Sequence, residues 1–242
     1  MHTLYLGPSW AVQSFESWDG KEDLICTNLA QELKLTNYTQ LAHYGDSNIT
    51  QLNKAINFID QHPELAPFRI VFVIGTTLDD GHLLEGVSRE FFAINFLKSN
   101  DPIGIIHDLE QKFYCKLSGL NVQIALIGSH TDVVDFNFSD HITVIHPSWQ
   151  NFLGTQCGIE PFFGWPAEVG NKWITGRLDW EIQIPQVNPS HQTVFEIDYL
   201  LSHWSTLAQN KLWCGVHPNI LANQLFAKQI NNTFNQWIDN TI

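Results

Sequence analysis

Cationic residues are scarce in this chain of 242 residues. It has 12 Lys and Arg against 25 Asp and Glu, so its formal net charge is −13 with the histidines neutral. A protein that neutralises nucleic-acid phosphates or docks on anionic lipid needs a surplus of Lys and Arg. The composition therefore argues against a nucleic-acid partner and against binding to a membrane surface.

Long apolar runs and paired cysteines are also missing. No stretch approaches the ~18 consecutive apolar residues of a membrane-spanning helix, and residues 1–10 (MHTLYLGPSW) contain no basic leader. The four cysteines are widely spaced and form no CxxC pair, which argues against a zinc or redox motif. We expect a cytoplasmic protein with no membrane association and with reduced, buried thiols.

Two motifs for binding phosphate are absent as well. Neither G-x-x-x-x-G-K-[ST] nor G-x-G-x-x-G occurs, so a phosphate-rich cofactor has little to bind it. The run Asp79-Asp80-Gly81-His82 has the residue types of a cation site, but it is accompanied by no remote ligands. We interpret this run as a solvated turn and predict neither a metal nor a cofactor.

Apolar and aromatic residues, in contrast, are plentiful. The chain is 44% hydrophobic, with 9 Trp and 16 Phe beside only 15% charged residues. This composition is typical of a folded globular protein. Aromatic side chains enlarge a core, and some of them line pockets or interfaces. We predict one domain over residues 1–242.

Short apolar runs alternate with amphipathic segments along the chain. The clearest run, residues 69–74 (RIVFVI), is almost entirely β-branched or aromatic, which indicates a strand buried on both faces. Such alternation predicts an α/β fold with a parallel sheet between two layers of helices, a three-layer α/β/α arrangement. The predicted strands are 3–6, 38–42, 69–74, 122–127 and 142–146, and the predicted helices are 22–34, 49–61, 102–118, 193–213 and 218–239.

Residues 147–192 interrupt this alternation. The stretch is rich in Trp, Gly and Pro and is longer than an ordinary connection, so we expect an inserted loop or lid. Its aromatic residues, among them Phe162, Trp165, Trp173 and Trp180, suit either a lid over a substrate or the core of a homodimer contact. Aromatic side chains serve both purposes, and the sequence leaves both interpretations open.

The ends of the predicted strands carry the candidate functional residues. In an open parallel sheet, ligands bind beyond the carboxyl ends of the strands. Small and polar residues follow four of the predicted strands, and a further group lies near the C-terminus: Gly7-Pro8-Ser9, His43-Tyr44-Gly45-Asp46, Gly75-Thr76-Thr77, Gly128-Ser129-His130, and Cys214 to Asn219 with His217.

With these residues the chain resembles the SGNH hydrolases, also called GDSL esterases or lipases, and in particular the short intracellular forms of bacteria and tailed phages. Ser9 stands where the family has the nucleophile of its G-D-S motif, with Pro8 in the Asp position. Gly45 matches the second block. Thr77 replaces the Asn of the G-x-N block that begins at Gly75, and the D-x-x-H block matches at His217, with Cys214 in the Asp position.

This resemblance implies a five-stranded, flavodoxin-like parallel sheet and a serine hydrolase that cleaves a small acyl ester, such as an O-acetyl group on a saccharide. The low number of Lys and Arg favours a neutral ester. Serine is a poor nucleophile at neutral pH, so Ser9 needs a base, which would be His217. The oxyanion hole would combine the N–H groups of Ser9 and Gly45 with the Thr77 hydroxyl. The site would be either a Ser-His dyad or a non-standard triad whose third member is Cys214 or the Asp80 carboxylate, and His130 would line the pocket.

Each of these residues also has a purely structural interpretation. Ser9 suits a helix cap, His217 a helix start, and Gly45 and Gly75 suit tight turns. The departures from the family pattern at Pro8, Thr77 and Cys214 favour a second hypothesis, in which the fold serves as a binding or assembly module with little or no catalysis. A flavodoxin-like domain without this chemistry is a third hypothesis.

Overall fold

The structure is a computed structural model. It describes residues 1–12, 14–15, 25–26, 28–43, 46–75, 80–129, 133, 136–156, 158, 213–214, 217–218 and 220–241.

A central sheet of five parallel strands organises the fold. Its strand order is β4-β1-β5-β6-β7, which reads 2-1-3-4-5 when only these five strands are numbered. This order is one of the two common orders of doubly wound α/β sheets. The predicted α/β fold with a five-stranded parallel sheet is therefore confirmed. The strands are β1 (His2–Leu6), β2 (Ser14–Phe15), β3 (Ile25–Cys26), β4 (Tyr38–Gln40), β5 (Phe68–Ile74), β6 (Gln123–Gly128), β7 (Ile142–His146), β8 (Trp213–Cys214) and β9 (His217–Pro218).

Helices connect the strands, and several begin with side-chain caps. Ser47 accepts a hydrogen bond from Thr50 N at the start of α3, and Asp101 accepts one from Gly104 N at the start of α6. Such caps satisfy N–H groups that have no partner within a helix. The helices are α1 (Ser9–Val12), α2 (Leu29–Glu32), α3 (Asn48–Gln61), α4 (Gly81–Glu85), α5 (Arg89–Lys98), α6 (Pro102–Ser118), α7 (Trp149–Gln156) and α8 (Ile220–Asn240), with a 3-10 turn at Pro63–Leu65.

The sheet separates two hydrophobic cores. All seven residues of β5 are buried, and their side chains alternate between the two faces. Val71 and Val73 belong to a core with α1, α2, α7 and α8, whereas Ile70 and Phe72 belong to a core with α3 and α6. Helices thus cover both faces, consistent with the predicted three-layer arrangement.

A buried arginine anchors α8 at the amino-terminal edge of the sheet. Arg69 on β5 donates from Nε to Thr3 Oγ1 at 2.9 Å and from Nη1 to Thr241 Oγ1 at 3.3 Å. Its guanidinium lies 5.6 Å from the Trp237 ring centroid and also contacts the Ile238 carbonyl, near the negative end of the α8 dipole. Burial lowers the pKa of Arg69. The charge is thus held by neutral oxygens and an aromatic face.

Two of the predicted helices differ from the observed elements. Residues 25–26 of the predicted helix 22–34 form β3, which pairs with β2, and α2 begins only after Asn28, whose side chain forms a capping box with Gln31. The predicted helix 218–239 begins instead at Ile220, because His217 and Pro218 pair with β8. The predicted helix 193–213 lies outside the described residues except for Trp213, which is in β8.

Helix α7 occupies the start of the stretch that was predicted to be irregular. Trp149 and Leu153 lie one turn apart, are fully buried, and face the core that contains α8. The Trp149 ring stacks on Phe226 at 4.7 Å between centroids. A short helix that buries one large ring is stabilised mainly by this tertiary contact. Most of the rest of the predicted excursion, residues 159–192, lies outside the described residues.

Two smaller expectations concern the cysteine thiols and the membrane. Cys115 is exposed, so the expectation that the thiols are buried is wrong for this residue. Across the described ranges, no helix has both the length and the apolar character needed to cross a bilayer.

Gly7 joins β1 to α1 at a point where no side chain fits. Its φ is +149°, and a Cβ atom there would lie 2.6 Å from Ala11 Cβ and 2.8 Å from both Val73 Cβ and Val73 O. These contacts are too short for any side chain. The end of β1 can therefore pack directly against β5 and α1 only because residue 7 is glycine.

We predict that Gly7→Ala lowers the free energy of unfolding by roughly 2–4 kcal/mol, because the methyl group overpacks a rigid junction at an unfavourable φ. Urea denaturation followed by circular dichroism measures the change. Gly86→Ala is the matched control, since Gly86 also has a positive φ, +67°, but no atom lies within 4 Å of the added methyl group. It should cost only about 1 kcal/mol. Equal losses in the two variants would contradict this account of Gly7.

Candidate functional site

The candidate site lies at the carboxyl ends of β1 and β5. The chain leaves β1 towards the face covered by α1 and α2, whereas the connection from β5 to β6 includes α6 on the opposite face. Neighbouring strands whose connections leave on opposite faces create a crevice at their carboxyl ends, which is where ligands bind in such sheets. The Ser9 turn and the Gly75 segment flank this crevice.

The turns that follow β1 and β5 touch each other. Helix α1 begins at Ser9, and Ala11 N donates to Pro8 O at 2.9 Å. A Cβ atom on Gly75 would lie 3.3 Å from Pro8 Cγ, so the backbone of Gly75 packs against the Pro8 ring. Two of the strand ends singled out in the sequence are therefore direct neighbours.

The segment that carries His217 also reaches this edge of the sheet. Strand β9 is in contact with α1 and with β2. In the antiparallel pair formed by β8 and β9, Cys214 is the register partner of His217. Strand β9, which contains His217, therefore lies against α1, which begins at Ser9.

The turn between β4 and α3 is attached to the same junction. His43 N donates to Gly7 O at 3.3 Å, which extends the pairing of β4 with β1. At the other end of the turn, the Asp46 carboxylate accepts from Gln51 Nε2 at 2.7 Å and forms an ion pair with Lys54. Gly45 lies between these two anchored residues and is itself outside the described residues.

Asn48, the first residue of α3, binds the end of β5. It is 2% exposed, its Oδ1 accepts from Gly75 N at 2.9 Å, and its Nδ2 donates to Gly75 O at 2.9 Å. Both backbone groups of Gly75 are thus paired with one side chain. Asn48 is not among the residues predicted from the sequence; the available signal was its place next to the start of a predicted helix.

Asp80 is buried, so the interpretation of residues 79–82 as a solvated turn is wrong for this residue. It has no exposed surface, and its Oδ1 accepts from Ile49 N at 3.0 Å, the N–H group next to Asn48. The carboxylate thereby caps the start of α3, where the helix dipole favours a negative charge. Pairing of Asp80 with His217 stays a prediction.

Three of the predicted site residues, Gly45, Thr77 and His130, lie outside the described residues. The residue before His130 is well defined: Ser129 is fully buried and donates from N at 3.1 Å and from Oγ at 2.7 Å to Ile74 O. The chain therefore leaves β6 beside the end of β5. Within the described residues, no group of three or more His, Cys, Asp and Glu side chains is arranged to hold a metal ion.

A further histidine lies at the carboxyl end of β7. From the sequence it was predicted only as the last residue of a strand and not as a site residue. His146 ends β7, its Nδ1 accepts from Ser148 N at 3.2 Å, and its ring lies against Phe152 and Phe226. Burial lowers the pKa of His146. The ring is therefore neutral at pH 7, with its other nitrogen, Nε2, carrying the proton.

Comparisons with protein-family models, with curated proteins and with solved structures find no match to this chain.

The lowered pKa of His146 makes stability depend on pH. In the unfolded chain this residue binds a proton at its ordinary pKa of 6.5, whereas in the folded chain it does so only at lower pH. The free energy of unfolding should therefore fall as the pH drops below about 6.5, until the folded residue is protonated too.

We expect His146→Gln to show a smaller loss of stability than the original chain between about pH 7.5 and about pH 5.5, because glutamine takes up no proton over this range. Urea denaturation at several pH values measures the difference. His107→Gln, at an exposed position on α6, is the control and should keep the original dependence. An unchanged pH dependence in His146→Gln would refute this role.

Proposed function

We propose that this protein is a serine hydrolase of the SGNH type that cleaves a small neutral carboxylic ester through an acyl-enzyme on Ser9. The observation that supports it most directly is the contact between α1, which begins at Ser9, and β9, which contains His217, at the carboxyl end of β1. A nucleophile and its base must come within hydrogen-bond reach, and these two segments are far apart in the chain but adjacent in the fold.

The proposed reaction has two steps. In the first, His217 takes the proton of Ser9 Oγ as this oxygen attacks the ester carbonyl carbon, and it then gives the proton to the departing alcohol. In the second, His217 takes a proton from water as the water oxygen attacks the acyl carbonyl carbon, and it then gives this proton to Ser9 Oγ as the bond between Oγ and the acyl carbon breaks and the carboxylic acid departs. The N–H groups of Ser9 and Gly45 and the Thr77 hydroxyl would stabilise the oxyanion in both steps.

Cys214 occupies the position of the acid that would orient His217. A neutral thiol is a weak acceptor and does not stabilise a protonated imidazole as a carboxylate does. The register pairing of Cys214 with His217 supports their proximity, since directly opposed residues of an antiparallel pair have Cα atoms about 4.5–5.5 Å apart. We therefore propose a Ser-His pair with a weakened third member.

The charge at this edge favours a neutral substrate. Lys54 is the one Lys or Arg residue of α3, and it is already paired with Asp46. With 12 cationic residues in the whole chain and a net charge of −13, the protein would repel a polyanionic ester at long range.

Labelling with a fluorophosphonate probe is the decisive experiment. We expect the original chain to be labelled and to hydrolyse p-nitrophenyl acetate, and Ser9→Ala to lose both properties, because the probe reacts only with an activated serine. Ser88→Ala, which removes an exposed hydroxyl at the start of α5, is the control and should be labelled normally. The proposal fails if labelling and turnover do not depend on Ser9, and the binding or assembly hypothesis then gains support.

Restoring the missing acid offers an independent check. We predict that Cys214→Asp raises kcat for p-nitrophenyl acetate tenfold or more, because loss of an orienting carboxylate costs serine hydrolases up to about 10⁴-fold in rate. Cys115→Asp, at an exposed cysteine on α6, should leave kcat unchanged. A folded Cys214→Asp variant with no gain would argue against the proposed pairing of residues 214 and 217.

A further inference from the structure

We propose that a polar groove between α2 and α8 binds a sugar acid, a small hydroxylated molecule that carries one carboxylate. The groove has a volume of about 460 Å³, which is within the range of small-molecule sites. It lies outside the candidate hydrolase site, so this proposal does not rest on the proposed function. The polar residues that line the α2–α8 groove are Glu32, Lys34, Gln224, Lys228, Asn231 and Asn232.

Helix α8 supplies one wall of this groove. Gln224, Lys228 and Asn231 are separated by four and three residues, which places them on one face of the helix. The opposite face, with Phe226, is buried in the core. Ala227 also lines the groove and is 5% exposed, so a small side chain leaves room for the cavity between the two helices. The outer face of α8 thus presents amides and a cation towards α2.

The end of α2 supplies the other wall. Lys34 N donates to Gln31 O at 2.9 Å, and Leu35 N donates to Ala30 O at 3.0 Å. These are the two bonds of a Schellman motif, in which the residue at the position of Lys34 is usually glycine. The φ of Lys34 is +55°, a left-handed conformation that costs stability for any residue with a Cβ atom. A lysine is therefore less stable here than a glycine, and its side chain lines the groove.

The groove is locally cationic in an acidic protein. Two of the 12 cationic residues, Lys34 and Lys228, line it, although the net charge of the chain is −13. Both are exposed, and neither lies within ion-pair distance of a carboxylate in the described part of the chain. Lys54 and Lys112, in contrast, are each paired with a carboxylate. Because Glu32 cancels one of the two lysine charges, a ligand with a single negative charge would balance the groove.

The other polar groups suit hydroxyls. Side-chain amides both donate and accept hydrogen bonds, and a carboxylate accepts them from hydroxyl groups. Lys34 and Lys228 would bind the carboxylate of the ligand as point charges, while Glu32, Asn231 and Asn232 would bind its hydroxyl groups. Acetate would make no use of the amides, and a neutral sugar would make no use of the lysines. This combination favours a sugar acid over a simple anion or a neutral sugar.

NMR titration of the purified full chain tests the proposal. We expect glucuronate, galacturonate or gluconate to bind with a Kd of about 1 mM or below, and glucose and acetate to bind at least about tenfold more weakly. Raising NaCl from about 50 to about 500 mM should weaken the binding, since exposed charges are screened by salt. The proposal is overturned if none of the three sugar acids binds, or if acetate or glucose binds as tightly as they do.

Lys228→Gln shows whether the groove is the site. This variant should weaken the binding of the tightest sugar acid by at least about fivefold, because it removes one of the two charges that face the carboxylate. Lys116→Gln is the matched control: it makes the same change in net charge at an exposed position on α6 and should stay within about twofold of the original Kd. Equal losses in the two variants would mean that net charge alone attracts the ligand, and the groove would be rejected.

Lys34→Gly separates binding from folding. Glycine adopts the left-handed conformation without steric cost, so the urea midpoint of this variant should not fall below that of the original chain. The affinity for the sugar acid should nevertheless fall by at least about fivefold, because the second cation is lost. A purely structural role of Lys34 predicts no such loss of affinity, and an unchanged Kd in this variant would reject the site with two lysines.

Ser9→Ala distinguishes this groove from the candidate hydrolase site. We expect the variant to bind the sugar acid with the original Kd, whatever the outcome of the fluorophosphonate experiment. A loss of sugar-acid binding in Ser9→Ala would place the ligand at the hydrolase site and overturn the assignment to the α2–α8 groove.

Discussion

The close packing of Gly7 against Val73 and Ala11 determines how the carboxyl edge of the sheet is assembled. Because a methyl group at residue 7 would lie within 3 Å of atoms in both neighbours, the backbone of β1 can approach β5 and α1 only at a glycine. Two residues later α1 begins at Ser9, and Pro8 rests against Gly75. His43 donates to the carbonyl of the same glycine. The end of β5, the start of α1 and the segment that contains His43 therefore meet at Gly7. A side chain at this residue would push them apart.

Buried polar side chains form hydrogen bonds with backbone groups at this edge of the sheet and at the opposite edge. A parallel sheet leaves backbone N–H and C=O groups unpaired where its strands end, and each costs about 1–3 kcal/mol if it is buried without a partner. The Asn48 side chain forms hydrogen bonds with the backbone of Gly75, and the Asp80 carboxylate accepts one from Ile49 N. The Ser129 hydroxyl donates one to the carbonyl of Ile74. At the amino-terminal edge, Arg69 donates a hydrogen bond to the carbonyl of Ile238 in the last turn of α8. The amide and carboxylate at the candidate site thus stabilise the fold and hold the crevice in shape.

Elements that depend on local interactions were predicted from the sequence more accurately than features that depend on long-range contacts. Helix α6 and strand β7 have the predicted bounds, because hydrophobic periodicity and the Asp101 cap are local signals. Asp80 was placed in a solvated turn because its neighbours in the chain are polar, yet it has no exposed surface, and the ring of Phe92 packs on Gly81 next to it. The start of the predicted helix 22–34 was wrong because residues 25–26 pair with a strand ten to twelve residues earlier, and hydrophobic periodicity does not reveal such a contact.

By itself the sequence determined the α/β class, the five strands of the central sheet and the set of residues that follow them, since alternating apolar runs and turn residues are encoded within a few positions. Only the tertiary structure decided which strand ends meet, which face each helix covers, and that α1 contacts β9. It also assigned Asn48 and Asp80 to the edge of the crevice. The physical reason is that these contacts join residues tens to hundreds of positions apart, and their geometry depends on packing and register, which a local pattern does not contain.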